Sequence, residues 1–414
     1  MLNHVLPPDT QAILLLCASF GQNRQLDPQP LTLSEYNFLA DWLRENEMRP
    51  ADLLEPTAKE HLKKITSNKL NPERLSALLE RGAMLSFAVE KWTNQGLWIL
   101  GRSDTNYPKR LKQRLKHSAP AILYGVGNIE LLSLGGLAIV GSRNVDKEGL
   151  SYTQRLAQAC STQAIQVISG GARGVDQSAM LGVLDAGGMA IGVLANNLTK
   201  TAVNGIYRPS IKEGRLTLIS SYDPDAGFNA GNAMGRNKYI YALADYALVV
   251  SSSAGEGGTW AGAVEALSRL QDIPVFVRMH PTASEGNQQL YHRGAKVFPS
   301  EPWNKSFQEL LAKATSLDKS VQNQLETIPQ ETTPNLYPQE FLPHPKDIYE
   351  AVLPFILTHL KQPKDAKSLA EDLNVRPSQM QDWLNRAVTE GKVRKTNKPV
   401  AYVVNQRVTQ LSLL

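Results

Sequence analysis

Two adjacent glycines, Gly170 and Gly171, then Ala172, Arg173 and Gly174, separate the apolar run Val167–Ser169 from the helix-like stretch DQSAMLGVLDAG. Glycine lets the backbone approach a ligand closely and take positive φ, and a helix amino terminus favours negative charge. A loop built this way is suited to an anion, phosphate above all. Two further loops share the design: Gly141-Ser142-Arg143 after the run LAIVGS, and Gly255 to Thr259 after YALVVSS. Arg143 and Arg173 would add permanently charged, forked donors that match phosphate oxygens. Asp176 is expected to cap the helix that follows its loop. A fourth cluster, Arg236, Asn237 and Lys238, is read as opening a helix. Arginine is poorly placed there for the helix dipole, so Arg236 either pairs with an acid or serves an external anion. Tyr207, Phe228, Tyr239 and Tyr241 could stack bases, but scattered aromatics read first as core.

Other chemistries find little support. The dinucleotide pattern GxGxxG and the Walker loop GxxxxGK[ST] are both absent, as are HExxH and GxSxG. Cys17 and Cys160 form no CxxC pair and read as small buried hydrophobes. Glu265 reads as a solvated or paired helix acid. No catalytic residue, metal or cofactor is expected.

The elements around these loops alternate. From residue 133 to residue 302, short apolar runs (LAIVGS, QVIS, MAIGVLA, RLTLISS, YALVVSS, PVFVRM) are separated by helical patterns. Such alternation predicts an α/β fold: a Rossmann-like, doubly wound, mostly parallel sheet covered on both faces. Ligands then sit at the carboxyl ends of the strands, so the three loops should converge. Residues 1–132 read as a helical amino-terminal module, with apolar residues three and four apart. Residues 303–345, rich in Pro, Gln and Thr, read as a linker. Residues 346–414 show three helical patterns and a hairpin, the order of a winged helix, with Pro354 expected to kink or shorten the first helix.

The chain has 414 residues and a net charge of +5, a mild excess that permits nucleic-acid binding without requiring it. From Lys364 to Arg407 there are nine Lys or Arg against five Asp or Glu. No apolar run approaches the ~18 residues of a bilayer span. The apolar patch Ala12–Ala18 has no Lys or Arg before it, unlike a secretory signal, so a cytoplasmic protein is expected.

From about Trp98 to Pro299 the chain resembles the DNA-processing protein A family, also called DprA or Smf. The resemblance is carried by GLWILGRSDTNYPKRLKQRLKHSAPAILYGVGNIELL, AIVGSRNV, VISGGARGVDQSAM, GRNKYIYALADYALVVSS and EGNQQLYHRGAKVF. It implies a homodimer that binds and protects incoming single-stranded DNA and loads RecA recombinase on it during DNA uptake, without turnover chemistry. By motif, Arg143 and Arg173 match basic DNA-pocket positions of the family and Arg236 and Asn237 match its RN motif; with Gly141, Ser142, Gly170, Gly171, Gly174 and Lys238 from the loops and the helix start they make up the expected DNA-phosphate site. The chain departs from the family at three places. Met180 stands where a histidine is usual, EGGTWAGA replaces SGTxxTA, and NNLTKTAVNGIYRPS replaces the Gly-Tyr-Pro stretch. GGTWAGAVE also loosely resembles the lonely-guy phosphoribohydrolases, and supplies the alternative of a nucleotide-binding or nucleotide-cleaving enzyme.

Overall fold

A computed structural model describes residues 6–20, 28–65, 69–280, 283–303, 305–307, 309–314, 348–360, 362–373, 375, 377–397 and 400–405. The chain divides into two compact units, Met1–Ile328 and Pro329–Leu414.

The first unit is organised by one nine-stranded sheet. Its strands are β1 (Trp98–Gly101), β2 (Ile122–Gly127), β3 (Leu137–Val140), β4 (Val167–Ser169), β5 (Ala190–Val193), β6 (Leu216–Ser220), β7 (Tyr246–Val249), β8 (Val275–Val277) and β9 (Lys296–Val297). They lie in the order β1-β2-β6-β5-β4-β3-β7-β8-β9, parallel from β6 through β9 and antiparallel at β1 and β2. Every residue of β3, β4, β5 and β6 is buried, as expected of strands covered on both faces. Alternate residues serve opposite cores: Leu137, Ile139 and Val167 join one apolar cluster, Ala138, Val140 and Ile168 the other. Leu137 pairs with both Val167 and Tyr246, so β3 is the central strand from which the chain winds first one way and then the other. At such a switch point the loops after β3 and β7 part and leave a crevice.

Two readings change. The stretch expected to be wholly helical contributes β1 and β2, so the sheet begins at Trp98 rather than after residue 132. Apolar runs of four to six residues cannot be assigned to strand or buried helix by periodicity alone. The amino-terminal helices are otherwise as patterned; Leu33–Glu45 starts with a capping box in which Glu35 N donates to Thr32 Oγ1 at 3.3 Å and Thr32 N donates to the Glu35 carboxylate at 2.7 Å. At the other end, part of the stretch read as linker belongs to the core: Phe307 and Leu311 are buried, and Trp303 meets Tyr152 edge-on at 5.5 Å. Residues 315–345, the rest of that stretch, lie outside the described residues, as do 346 and 347.

The second unit has helices Ile348–His359, Ala366–Asp372 and Pro377–Thr389 followed by the antiparallel pair β10 (Val393–Asn397) and β11 (Val400–Val404). This is the expected order of a winged helix. The first helix runs through Pro354 for 12 residues instead of stopping there. One absent backbone bond is tolerated because Tyr349, Leu353, Ile356 and Leu360 bury a continuous apolar face. Met380, Leu384 and Ala387 fill the same core. Among the described residues no helix is long and apolar enough to cross a membrane.

Candidate nucleic-acid interface

The three glycine loops meet at the carboxyl edge of the sheet. Gly141 lies so close to Val175 that a Cβ would sit 2.6 Å from its side chain, and a Cβ on Gly174, whose φ is +92°, would sit 2.5 Å from the Ser142 carbonyl. Only glycine lets these two loops touch. Val175 N then donates to Ser142 O at 3.3 Å, and Thr259 Oγ1 on the third loop donates to Gly141 O at 3.0 Å. Ser142 Oγ accepts from Asn144 N at 3.1 Å and shapes the turn.

Asp176 does not cap its helix. The cap position falls on Gly174, which leaves Asp176 two residues too deep, and its buried carboxylate turns back to accept from Gly141 N at 3.3 Å. Burial pushes its pKa up; the Arg236 charge and backbone N–H groups of Gly141, Ala172 and Gly170 oppose that rise. The carboxylate thus ties two loops together.

Arg236 was expected at a helix start, but the helix begins at Ala230 with Asn229 as its cap, so Arg236 sits mid-helix. The two glycines of AGNAMG hid the first turns from a propensity reading. The arginine is also buried, with 4% of its surface exposed. Its guanidinium lies over Gly170, where any Cβ would overlap it. Asp176 Oδ2 is 4.0 Å from its Nη1, and neither Nε nor Nη1 has a hydrogen-bond partner. Burial holds its pKa below the ordinary arginine value. A buried, hydrogen-bond-deficient cation is costly unless something supplies acceptors.

Two crevices flank it. The first, about 710 Å³, is lined by Arg143, Arg173, Lys200 and Arg236, together with Gly170, Gly171 (φ +66°), Met180 and Tyr207, and no acid lines it among the described residues. Its far wall, Asn196 to Asn204 after β5, was missed by sequence reasoning. It lies within the stretch noted as a departure, and its two asparagines at a strand end were the available signal. The second crevice, about 460 Å³, lies between the Gly141 loop and the start of the Gly257–Arg269 helix. Arg143, Phe228 and Arg236 line both.

The remaining expected site residues divide. Arg143 and Arg173 are exposed; Arg143 lies 5.2 Å over the Phe228 ring, and Arg173 Nη2 donates to Asn144 Oδ1 at 2.9 Å. Asn237 is partly a structural tie, donating from Nδ2 to Gly258 O at 2.8 Å while lining the second crevice. Lys238 lines neither crevice and lies near the Tyr239 ring. Of the four aromatics, Tyr207, Tyr239 and Tyr241 are buried and Phe228 is 58% exposed. Glu265 pairs with Arg269 at 3.4 Å, away from both crevices. Cys160 is fully buried, and burial raises both cysteine thiols to about 12.

Comparison with known proteins places the chain in a family. A family described as DNA recombination-mediator protein A matches residues 98–310, half of the chain. The chain belongs to that family. It is 28% identical over 201 residues to the DNA processing protein DprA of Streptococcus pneumoniae, covering 48% of this chain and 69% of that one. It is 29% identical over 218 residues to the protein Smf of Escherichia coli, covering 51% of this chain and 56% of the relative. The chain therefore spans little more than half of the latter's length. In structure it is similar to the pneumococcal DNA processing protein A, with a TM-score of 0.56 at 20% identity over 74% of this chain and 98% of that one, a likeness of fold.

Proposed function

We propose that this chain binds single-stranded DNA along the carboxyl edge of its sheet, shelters it, and delivers it to RecA recombinase as a recombination mediator. One observation carries the binding step. The first crevice gathers Arg143, Arg173, Lys200 and Arg236 with no acid in its described lining, and Arg236 is buried with two donors unpartnered. Phosphate oxygens supply the acceptors those donors lack. Single strands fit better than duplex because Phe228 stands exposed on the rim beside Arg143, where an unpaired base can stack. Affinity comes mainly from phosphate contacts, which carry no sequence information, so sequence preference is low.

RecA delivery, action as a homodimer in the cytoplasm and the absence of turnover rest on family membership. The test of binding is fluorescence anisotropy with labelled single-stranded and duplex oligonucleotides at several salt concentrations. Each phosphate contact should contribute a slope of roughly 0.7 in log affinity against log salt. A flat salt response, or a preference for duplex, sinks the reading. Delivery is tested by RecA filament formation on strands already coated by a single-strand binding protein, with and without this chain. Incubation with nucleoside monophosphates, followed by assay for released base, tests the nucleotide-cleaving alternative.

A further inference from the structure

The second crevice differs from the first in what it offers an anion. Its floor is the amino terminus of the 13-residue helix Gly257–Arg269, whose cap residue, Glu256, makes no side-chain bond to the first-turn N–H groups. Those groups, on Gly257, Gly258 and Thr259, have no carbonyl within the helix to bond. Asn237 holds the first turn in place through the Gly258 carbonyl, a group on the opposite side of the peptide from the amides. The second, independent observation is Arg236. It is nine-tenths buried, lines this crevice as well as the first, and keeps Nε and Nη1 without partners. Several donors thus converge from two directions on one small volume.

A backbone phosphodiester has two unesterified oxygens, whereas a phosphate monoester has three and a charge near −2 at neutral pH, so it can use more of the donors gathered here. We propose that the second crevice is a seat for a phosphate monoester, held by the open helix terminus and the Arg236 guanidinium. The monoester can come from the 5′ end of a DNA strand or from a free nucleoside monophosphate. This proposal rests on the phosphate-binding reading of the same edge, and it adds a site for ends that the first crevice does not provide.

The experiment compares full-length protein binding to 5′-phosphorylated and 5′-hydroxyl oligonucleotides of one sequence, and separately to a nucleoside monophosphate. Preference for the phosphorylated strand identifies the strand end as the source. Binding of the monophosphate without strand preference identifies the free nucleotide. Equal strand affinities with no monophosphate binding overturn the proposal while leaving single-strand binding intact; failure of both oligonucleotides and of the nucleotide removes both readings together.

Gly258 locates the seat. It lies outside the positive-φ region, and a Cβ there would meet Asn237 Nδ2 at 3.3 Å, a close contact that Gly258→Ala and Gly258→Pro share. Alanine keeps the N–H and proline, tolerated in a helix's first turn, removes it. Gly258→Pro should lose about tenfold in monoester affinity relative to Gly258→Ala, the effect of one charge-assisted hydrogen bond, with 5′-hydroxyl binding equal in both. Identical behaviour of the two variants overturns the assignment. Glu256→Gln covers the case in which proline disturbs the fold. Glu256 is an exposed carboxylate on the rim, so removing its charge should tighten monoester binding roughly two- to threefold at low salt and less at high salt. No change on that substitution counts against the seat.

Discussion

Around its central strands the two ends of the same sheet treat charge in opposite ways. At the amino edge the charged groups find partners within the chain. Asp245 pairs with Arg110 and accepts from Gly136 N at 2.8 Å, while Arg114 bonds to Asp272 and to the carbonyls of Ala242 and Ala244. Arg215 spans from Glu213 to the carbonyls of Leu184 and Gly188. At the carboxyl edge Arg143 and Arg173 have no carboxylate partner among the described residues, and Arg236 is held 4.0 Å from its only one. The first end is a set of ties that complete the fold; the second leaves donors open. Burial alone does not separate them, because Arg114 and Arg236 are both largely buried. What separates them is whether the donors are satisfied.

That contrast is tested most severely by removing the charge at each end while keeping volume. Arg236→Met should weaken single-strand binding by about 3 kcal/mol, roughly 100-fold, the upper range for a set of hydrogen bonds to a charged group. Arg114→Met should leave the affinity of the folded protein unchanged and lower its unfolding free energy by about 2 kcal/mol, read from denaturant melts. Exchange of the two outcomes would erase the distinction. Arg236→Met also has a pH signature. Burial raises the folded-state pKa of Asp176 and the Arg236 charge opposes the rise, so loss of the arginine moves that pKa higher still. A carboxyl whose folded pKa is raised binds more protons folded than unfolded, so its contribution makes stability fall as pH rises through the window between the two values. In Arg236→Met that decline should extend to higher pH than in the unsubstituted protein, measured by denaturant melts at several pH values.

Arg173 gives the next largest effect. Among the described residues its guanidinium meets only an asparagine side chain across the loop, so it supports no core. Arg173→Ala should cost about 1.5 to 3 kcal/mol of affinity and make the salt slope shallower; Arg173→Lys, which keeps charge but loses the fork, should fall between. Melting should be nearly unchanged in both. Destabilisation with intact affinity in the folded fraction would move Arg173 to the side of the structural ties.

The edge was legible in the sequence where glycine marks a close approach. Gly141 and Gly174 are required by contacts between two loops, and that requirement leaves a residue type at a strand end that a reader can find. Alternation of short apolar runs and helices gave the parallel sheet for the same reason: covering both faces demands it. Arg236 reads from the sequence as a candidate anion ligand for a reason the structure replaces. The helix starts six residues earlier than its propensities suggest, so the arginine's burial, which makes its unpaired donors informative, had no local signature. Asp176 failed similarly, since capping depends on which residue begins the helix and a glycine with φ +92° took that place. The far wall of the first crevice was illegible because nothing in Asn196 to Asn204 points across the sheet to Arg173; only the strand order β5-β4-β3 brings them to one space.

Phe228 should matter less than the arginines, because stacking adds to a contact that phosphates already hold. Phe228→Ala should reduce single-strand affinity by about 1 kcal/mol, the low end for a base-aromatic stack, and Phe228→Trp should retain or improve it. The salt slope should stay the same in both, since no phosphate contact is lost. A change in slope would mean that Phe228 acts by positioning Arg143, which lies 5.2 Å above its ring, and would return the residue to the electrostatic set.

The smallest effect is expected from removing residues 340–414. The winged-helix unit carries its own core, built on Tyr349, Leu369, Met380, Leu384 and Tyr402, and the sheet-bearing unit has two apolar clusters of its own. Loss of one core therefore leaves the other intact. The helix Pro377–Thr389 turns Met380, Leu384 and Ala387 inward, and Arg386 and Lys392 beside it are already engaged with Glu390. Few cations remain on that helix to hold phosphates, although Arg394 and Lys395 stand on β10. A protein-contact or regulatory role fits such a surface better than the main DNA site. The truncated chain should keep single-strand affinity within about twofold and the same salt slope, because every phosphate contact argued above lies before residue 270. Loss of nearly all affinity, in a truncated protein whose melt remains cooperative, would transfer the main site to the carboxyl-terminal unit and leave the open donors at the sheet edge without their proposed ligand.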